Sequence, residues 1–166
     1  MNLELFHTVN GYISALASVS SYYGLCYGHR YKFTHYKVTL EEAIRLFKKD
    51  SFNKLKDNEI VGLTKIEKWE DELFHICNNW FFQFLDKDQP RVTFEENGHS
   101  SPAYMNKDFN PVTSEIIELL QEFFKDHNLS VYRLKIHPEY IDEFTWDQYF
   151  FETSDGIFVL SFYQWG

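Results

Sequence analysis

Between Pro111 and Phe123 the apolar residues Val112, Ile116, Leu119, Leu120 and Phe123 recur every three or four positions, the stripe of an amphipathic helix. Asn110-Pro111 in front supplies a capping side chain and a proline at the first helical position, so the spacing predicts a helix over about 111–127. Ile66, Trp69, Leu73, Ile76 and Trp80 repeat that period behind Thr64-Lys-Ile-Glu67, which has the form of a capping box, and predict a helix over about 65–78. Thr39-Leu-Glu-Glu42, followed by AIRLFKK, is another capping box and starts a helix near residue 40. A further helix over 8–23 carries Ile13, Leu16, Ala17 and Ser20 on one face, weakened by Gly11 and by its serines.

Strand patterns fill the intervals. YKFTHYKV (31–38) and VYRLKI (131–136) are rich in aromatic and β-branched residues. WFFQFLD (80–86), KDQP and RVTFEE (91–96) read as a hairpin closed off by Asn97-Gly98, and HSSPAYMNKDF reads as a surface loop. The last strands turn at Asp155-Gly156, a type I′ signal. Short turns between paired strands favour antiparallel pairing, so the expected class is α+β: one domain over 1–166, mostly antiparallel sheet, with three to four helices packed on it.

Composition narrows the class. At 166 residues the chain fits one domain with one core, and an aromatic fraction of 19% argues against disorder. MNLELFH has no lysine or arginine and so lacks the positive start of a secretory signal, and no apolar run is long enough to span a bilayer. The expectation is a cytoplasmic protein without membrane contact. Cys26 and Cys77 suit neither a CxxC redox motif nor a four-ligand zinc site, and two buried thiols are expected rather than a disulfide.

Charge is uneven. The net value is −9, yet seven of the 16 basic residues lie between Arg45 and Lys68. From Ile136 onward there are six acids and no bases. RLFKKDSFNKLK (45–56) could face nucleic acid, but the overall charge repels phosphates, and a solvated helix face explains the lysines. No nucleic-acid partner is expected.

Catalytic signatures are thin. His137-Pro-Glu139 matches the HxE of zinc deaminases but lacks the downstream PCxxC that would supply the other ligands. Glu72-x-x-His75 has the spacing of a di-iron helix motif, which needs a second copy and further glutamates. Ser20, Ser21 and Cys77 stand in no nucleophile context, and no phosphate-binding glycine loop is present. No catalytic residue, metal or cofactor is expected. The alternative is a small enzyme with a dispersed site using His35, His75 or His137, and a regulatory or adaptor domain is a third reading.

The closing segment is more informative. With Ser154 opposite Ile157, one face of the hairpin carries Tyr149, Phe151, Phe158, Leu160 and Phe162, a core face. The other sets Trp146 opposite Trp165, Gln148 opposite Tyr163, Phe150 opposite Ser161 and Glu152 opposite Val159. Aromatics among polar groups are the composition of a protein interface, unless a helix covers that face. The expected contact set is Asp142, Glu143, Trp146, Gln148, Glu152, Tyr163 and Trp165, with the acids pairing to a basic partner and Trp146, Tyr163 and Trp165 as anchors.

In size, acidity and the aromatic stretch FTWDQYFFETSDGIFVLSFYQW (144–165), the chain resembles bacterial immunity proteins of polymorphic and contact-dependent-inhibition toxin systems. That resemblance implies a protein that binds a cognate toxin domain, such as a nuclease with a basic cleft, and blocks it.

Overall fold

The computed structural model describes residues 1–23, 28–51, 60–82, 93–96, 99–102, 110–136, 140–141 and 144–166. Helix α1 spans Leu3–Tyr23, β1 Gly28–Tyr36, α2 Leu40–Ser51, β2 Ile60–Ile66 and α3 Trp69–Phe82. Strands β3 (Thr93–Glu96) and β4 (His99–Pro102) precede α4 (Asn110–Phe124), followed by β5 (Ser130–Ile136), β6 (Tyr140–Ile141), β7 (Phe144–Thr153) and β8 (Gly156–Trp165). The main sheet runs β1-β8-β7-β5-β2 with β6 beside β7, and every pairing in it is antiparallel. The α+β expectation holds. No helix among the described residues is long and apolar enough to cross a membrane.

Alternation along the strands sorts the core. Tyr31 and Phe33 of β1, Tyr149 and Phe151 of β7, and Phe158, Leu160 and Phe162 of β8 face α1, α3 and α4 in one cluster. Val9, Ile13 and Ala17 bury the inner stripe of α1, and Ile116, Leu120 and Phe123 that of α4. Ring stacking orders this core: Phe124 lies on Phe151 with centroids 4.9 Å apart, and Trp80 on Phe162 at 5.7 Å. The buried Tyr31 hydroxyl donates to the Trp80 carbonyl at 2.7 Å, so its burial leaves no orphaned donor. A smaller cluster on the opposite face sets Ala43 and Phe47 of α2 against Leu134, Phe150, Ile157 and Val159.

Several elements follow their local signals. The Thr39 hydroxyl caps α2 by accepting from the Glu42 N–H at 3.4 Å, and α4 opens at Asn110. At α1 the Asn2 side chain accepts from the Leu5 N–H at 3.2 Å, which starts the helix five residues before the expected position.

Other expectations are corrected. Thr64 caps nothing: it sits in β2 opposite Arg133, and α3 begins at Trp69 with Glu70, Asp71 and Glu72 in its first turn. Trp80–Phe82 end that helix rather than forming a strand, and residues 83–92 lie outside the described set. His99–Pro102, expected in a loop, is the strand that pairs with Thr93–Glu96.

The closing turn also moves. Thr153 pairs with Gly156, so the two-residue loop is Ser154-Asp155 and Gly156 takes φ 121°, a conformation that favours glycine. An added Cβ there would stand 2.5 Å from the Tyr36 carbonyl oxygen. Each partner shifts by two positions, an even step, so the expected core face is kept while the cross-strand neighbours change.

Candidate functional site

The outer face of the sheet is built in rows across β1, β8 and β7. Arg30, Tyr163 and Trp146 form the first row and Lys32, Ser161 and Gln148 the second. Thr34, Val159 and Phe150 form the third, and Tyr36, Ile157 and Glu152 the fourth. Helix α2 covers the third and fourth rows, with Phe47 edge-on to Phe150 at 5.6 Å. In the first two rows only Trp146 packs against that apolar cluster.

The expected contact residues are therefore distributed unevenly. Tyr163 stands opposite Trp146, not Gln148, and Trp165 stands opposite Gly28 of β1. Trp165 keeps 37% of its surface exposed, while Trp146 and Tyr163 are half-buried. Gln148 is only 1% exposed, so it cannot be a direct contact as the free chain stands. Glu152 is half-buried beneath Tyr132, whose hydroxyl donates to its carboxylate at 3.1 Å, so it is already engaged inside the chain. Asp142 and Glu143 lie outside the described residues.

The sheet also brings in a residue the closing segment could not reveal. The Arg30 guanidinium carbon lies 5.3 Å from the Tyr163 ring centre and 6.0 Å from that of Trp165, and the two rings are 5.7 Å apart. Partial burial raises the Tyr163 hydroxyl above its ordinary pKa, and Arg30 opposes that shift. The end of the hairpin is thus an aromatic–arginine surface with Lys32 beside it, not a purely acidic one. The signal was present in β1, where alternation puts Arg30 and Lys32 on the face opposite Tyr31 and Phe33.

A cleft of about 130 Å³ opens between the end of α2 and the first rows of the sheet. Arg30, Lys32, Tyr36, Asp50, Gln148 and Ser161 are among its walls. Small-molecule sites commonly enclose roughly 300–1,000 Å³, so this volume suits a group the size of one side chain. Among the described residues no donor reaches the buried Gln148 side-chain oxygen.

The remaining candidates for chemistry are tied into the structure. Glu72 accepts from Tyr149 at 3.2 Å and from Arg133 at 3.4 Å, while His75 on the next turn is exposed. Arg133 and the Trp80 ring N–H both donate to Asp147, at 2.5 and 2.8 Å. Burial alone would lower the Arg133 pKa, but Asp147, Tyr149 and Glu72 outweigh it and the net shift is upward. Burial raises the pKa values of Cys77, a free and fully buried thiol, and of Tyr149, so neither is poised as a nucleophile or base. His35 stacks on Phe158 at 4.3 Å with Nε2 3.0 Å from the Asp155 carbonyl oxygen, and His137 and Cys26 lie outside the described residues. Among the described residues no group of three or more His, Cys, Asp or Glu is placed to hold a metal ion.

Together these features define an α+β protein whose candidate site is an open surface at the end of a sheet, with a small cleft beside it. No family model, curated protein or solved structure matches the chain.

Proposed function

We propose that the chain is an immunity protein that binds and neutralises a cognate toxin domain acting in the cytoplasm, docking through Arg30, Trp146, Tyr163 and Trp165. The observation that carries this reading is the arginine over two aromatic rings, one of them exposed, at the end of the last hairpin. Arginine, tyrosine and tryptophan are the residue types enriched where binding energy concentrates in protein interfaces. Tyrosine and tryptophan bury a large area at small entropic cost, and the planar guanidinium of arginine stacks on such rings.

Charge acts at a second range. The net charge of −9 would steer a basic partner, such as a nuclease domain, towards the chain through the long-range field. The contact itself would be made by aromatic and guanidinium groups. An enzyme reading draws less support, because the cleft is small for a substrate site.

The test is genetic. The product of the gene immediately upstream is produced in cells alone, with the chain, and with a Tyr163→Ala/Trp165→Ala variant whose folding is checked by circular dichroism. A growth defect relieved by the chain but not by the folded variant supports the proposal. A harmless upstream product, or protection that survives both substitutions, overturns it.

A further inference from the structure

The cleft beside the docking surface carries a charge opposite to that of the chain as a whole. On β1, Arg30 and Lys32 point to the same face, about 6.6 Å apart along the strand, and both are exposed. Lys48, largely buried, and the exposed Lys49 lie in the last turn of α2, the helix end that bounds the cleft. Against these cations, the described residues of the cleft wall and that turn set the single acid Asp50, which accepts a hydrogen bond from the Tyr36 hydroxyl. The helix end adds about half a negative charge, and the sum stays positive. The whole chain carries −9, so this is a positive island on a negative molecule.

The geometry of the island suits a carboxylate. The Arg30 guanidinium carbon is held 5.3 Å from the Tyr163 ring centre and 6.0 Å from that of Trp165. That contact sets charge against ring faces and fixes the arginine in place, while its planar fork of N–H donors keeps the shape that matches a carboxylate. The Thr34 hydroxyl donates to the Val159 carbonyl at 3.4 Å and the Ser161 hydroxyl to the Lys32 carbonyl at 3.5 Å. Both hydroxyl protons are therefore engaged within the sheet, and the exposed donors at the rim are cationic. At about 130 Å³ the cleft takes the end of one side chain. A basic side chain there would meet two like charges, and an apolar one would strip water from them without compensation.

We propose that this cleft receives an aspartate or glutamate side chain of the toxin domain, with Lys32 as the residue that sets specificity; the proposal rests on the docking reading above. The carboxylate would lie against Arg30 and Lys32 while the surrounding partner surface covers Trp146, Tyr163 and Trp165. Long-range attraction and local contact then act through different groups. The net charge of −9 draws a basic domain in, and the cleft accepts a partner face that places an acid at the matching point. A basic domain without that acid would be attracted but weakly held, which is discrimination by an unmatched charge.

Lys32→Glu tests the sign of the contact. Binding of the purified chain to the purified product of the upstream gene is measured for the wild type, Lys32→Met and Lys32→Glu. Thermal midpoints should stay near that of the wild type, because Lys32 is exposed. Affinity is expected to fall about tenfold in Lys32→Met and further in Lys32→Glu. A basic partner surface at this point would instead bind Lys32→Glu more tightly than the wild type. Each acid of the upstream product is then replaced in turn by its amide. One of these changes should weaken binding to the wild type about tenfold and binding to Lys32→Met hardly at all. Equal or tighter binding by Lys32→Glu, or losses that simply add for every acid, overturns the proposal and leaves the docking reading in place. A wild-type chain that does not bind the product overturns both.

Discussion

Asn10 of α1 pairs with both backbone groups of Phe33 on β1. Its side-chain oxygen accepts from the Phe33 N–H at 3.0 Å, and its nitrogen donates to the Phe33 carbonyl at 2.8 Å. An amide side chain here does the work of a neighbouring strand. Because β1 is an outer strand of the sheet, its unpaired groups would otherwise offer a template to another chain. Ser21 adds a second latch by accepting from the His29 N–H at 2.8 Å. The same helix therefore supplies core packing and edge protection.

Asn10→Ala is expected to destabilise the chain by about 1–3 kcal/mol, the usual cost of stranding partly buried polar groups. For a chain of this length that lowers the thermal midpoint by about 2–4 °C per kcal/mol. Light scattering near the midpoint should show earlier aggregation than in the wild type. Asn10→Asp keeps an acceptor for the Phe33 N–H and should fall between the two. Identical urea midpoints for Asn10→Ala and the wild type would sink this account of the edge.

Asp147 is the hinge of the polar group that joins α3 to the sheet, since it accepts from Arg133 and from the Trp80 ring. Its side chain is 18% exposed and that of Arg133 32%, so the pair is only partly removed from water. Asp147→Ala should cost about 1–3 kcal/mol, less than the 3–5 kcal/mol of a fully buried pair broken on one side. Asp147→Asn retains an acceptor for the indole N–H and should cost less than alanine. Urea denaturation of both variants checks the order, and an asparagine variant as unstable as the alanine one would contradict it.

How much of this was legible in advance depends on how local each signal was. Asn110-Pro111 and the apolar stripe behind it settle α4 within a few residues of chain, and the structure places the helix there. The two faces of the closing hairpin were readable because alternation survives a shift of two positions in register. Thr64 misled because a capping box is also an ordinary strand sequence, and only pairing with Arg133 decides between them. The covering of Phe150 by Phe47 and the arrival of Arg30 beside Tyr163 join segments more than a hundred residues apart. No periodicity within either segment encodes such a meeting, which is why the candidate surface lost Gln148 and gained Arg30.

The Met1 ammonium forms an ion pair with Asp155 at 2.8 Å, tying the start of α1 to the closing turn. Hydrogen bonding and charge attraction from that ammonium hold the Asp155 carboxyl below its ordinary range. A depressed carboxylate contributes stability above its unfolded value of about 3.9, and loses that contribution as pH falls through the lower folded value. The stability gap between the wild type and Asp155→Asn should therefore be largest near neutral pH and should close in acid. Urea midpoints at about pH 6 and about pH 2 measure it. The contact is solvent-exposed, so the gap should also shrink in high salt. A gap that is the same at both pH values would assign the effect to the turn rather than to the ion pair.

Gly28 separates folding from docking most cleanly. It stands opposite Trp165, and a Cβ added at Gly28 would come within 2.3 Å of two carbons of the indole ring. Trp165 can move aside, because it is a side chain at the end of the sheet with 37% of its surface exposed. Gly28→Ala should therefore lose the arginine–tryptophan contact, worth about 0.5–1 kcal/mol, with little further cost to the fold. Docking should suffer more, since displaced interface anchors commonly cost 2 kcal/mol or more, about thirtyfold in affinity. The expected result is a thermal midpoint within about 4 °C of the wild type together with weakened growth protection against the upstream product. Full protection by Gly28→Ala, with a tryptophan emission spectrum that confirms Trp165 has moved, would remove Trp165 from the docking surface.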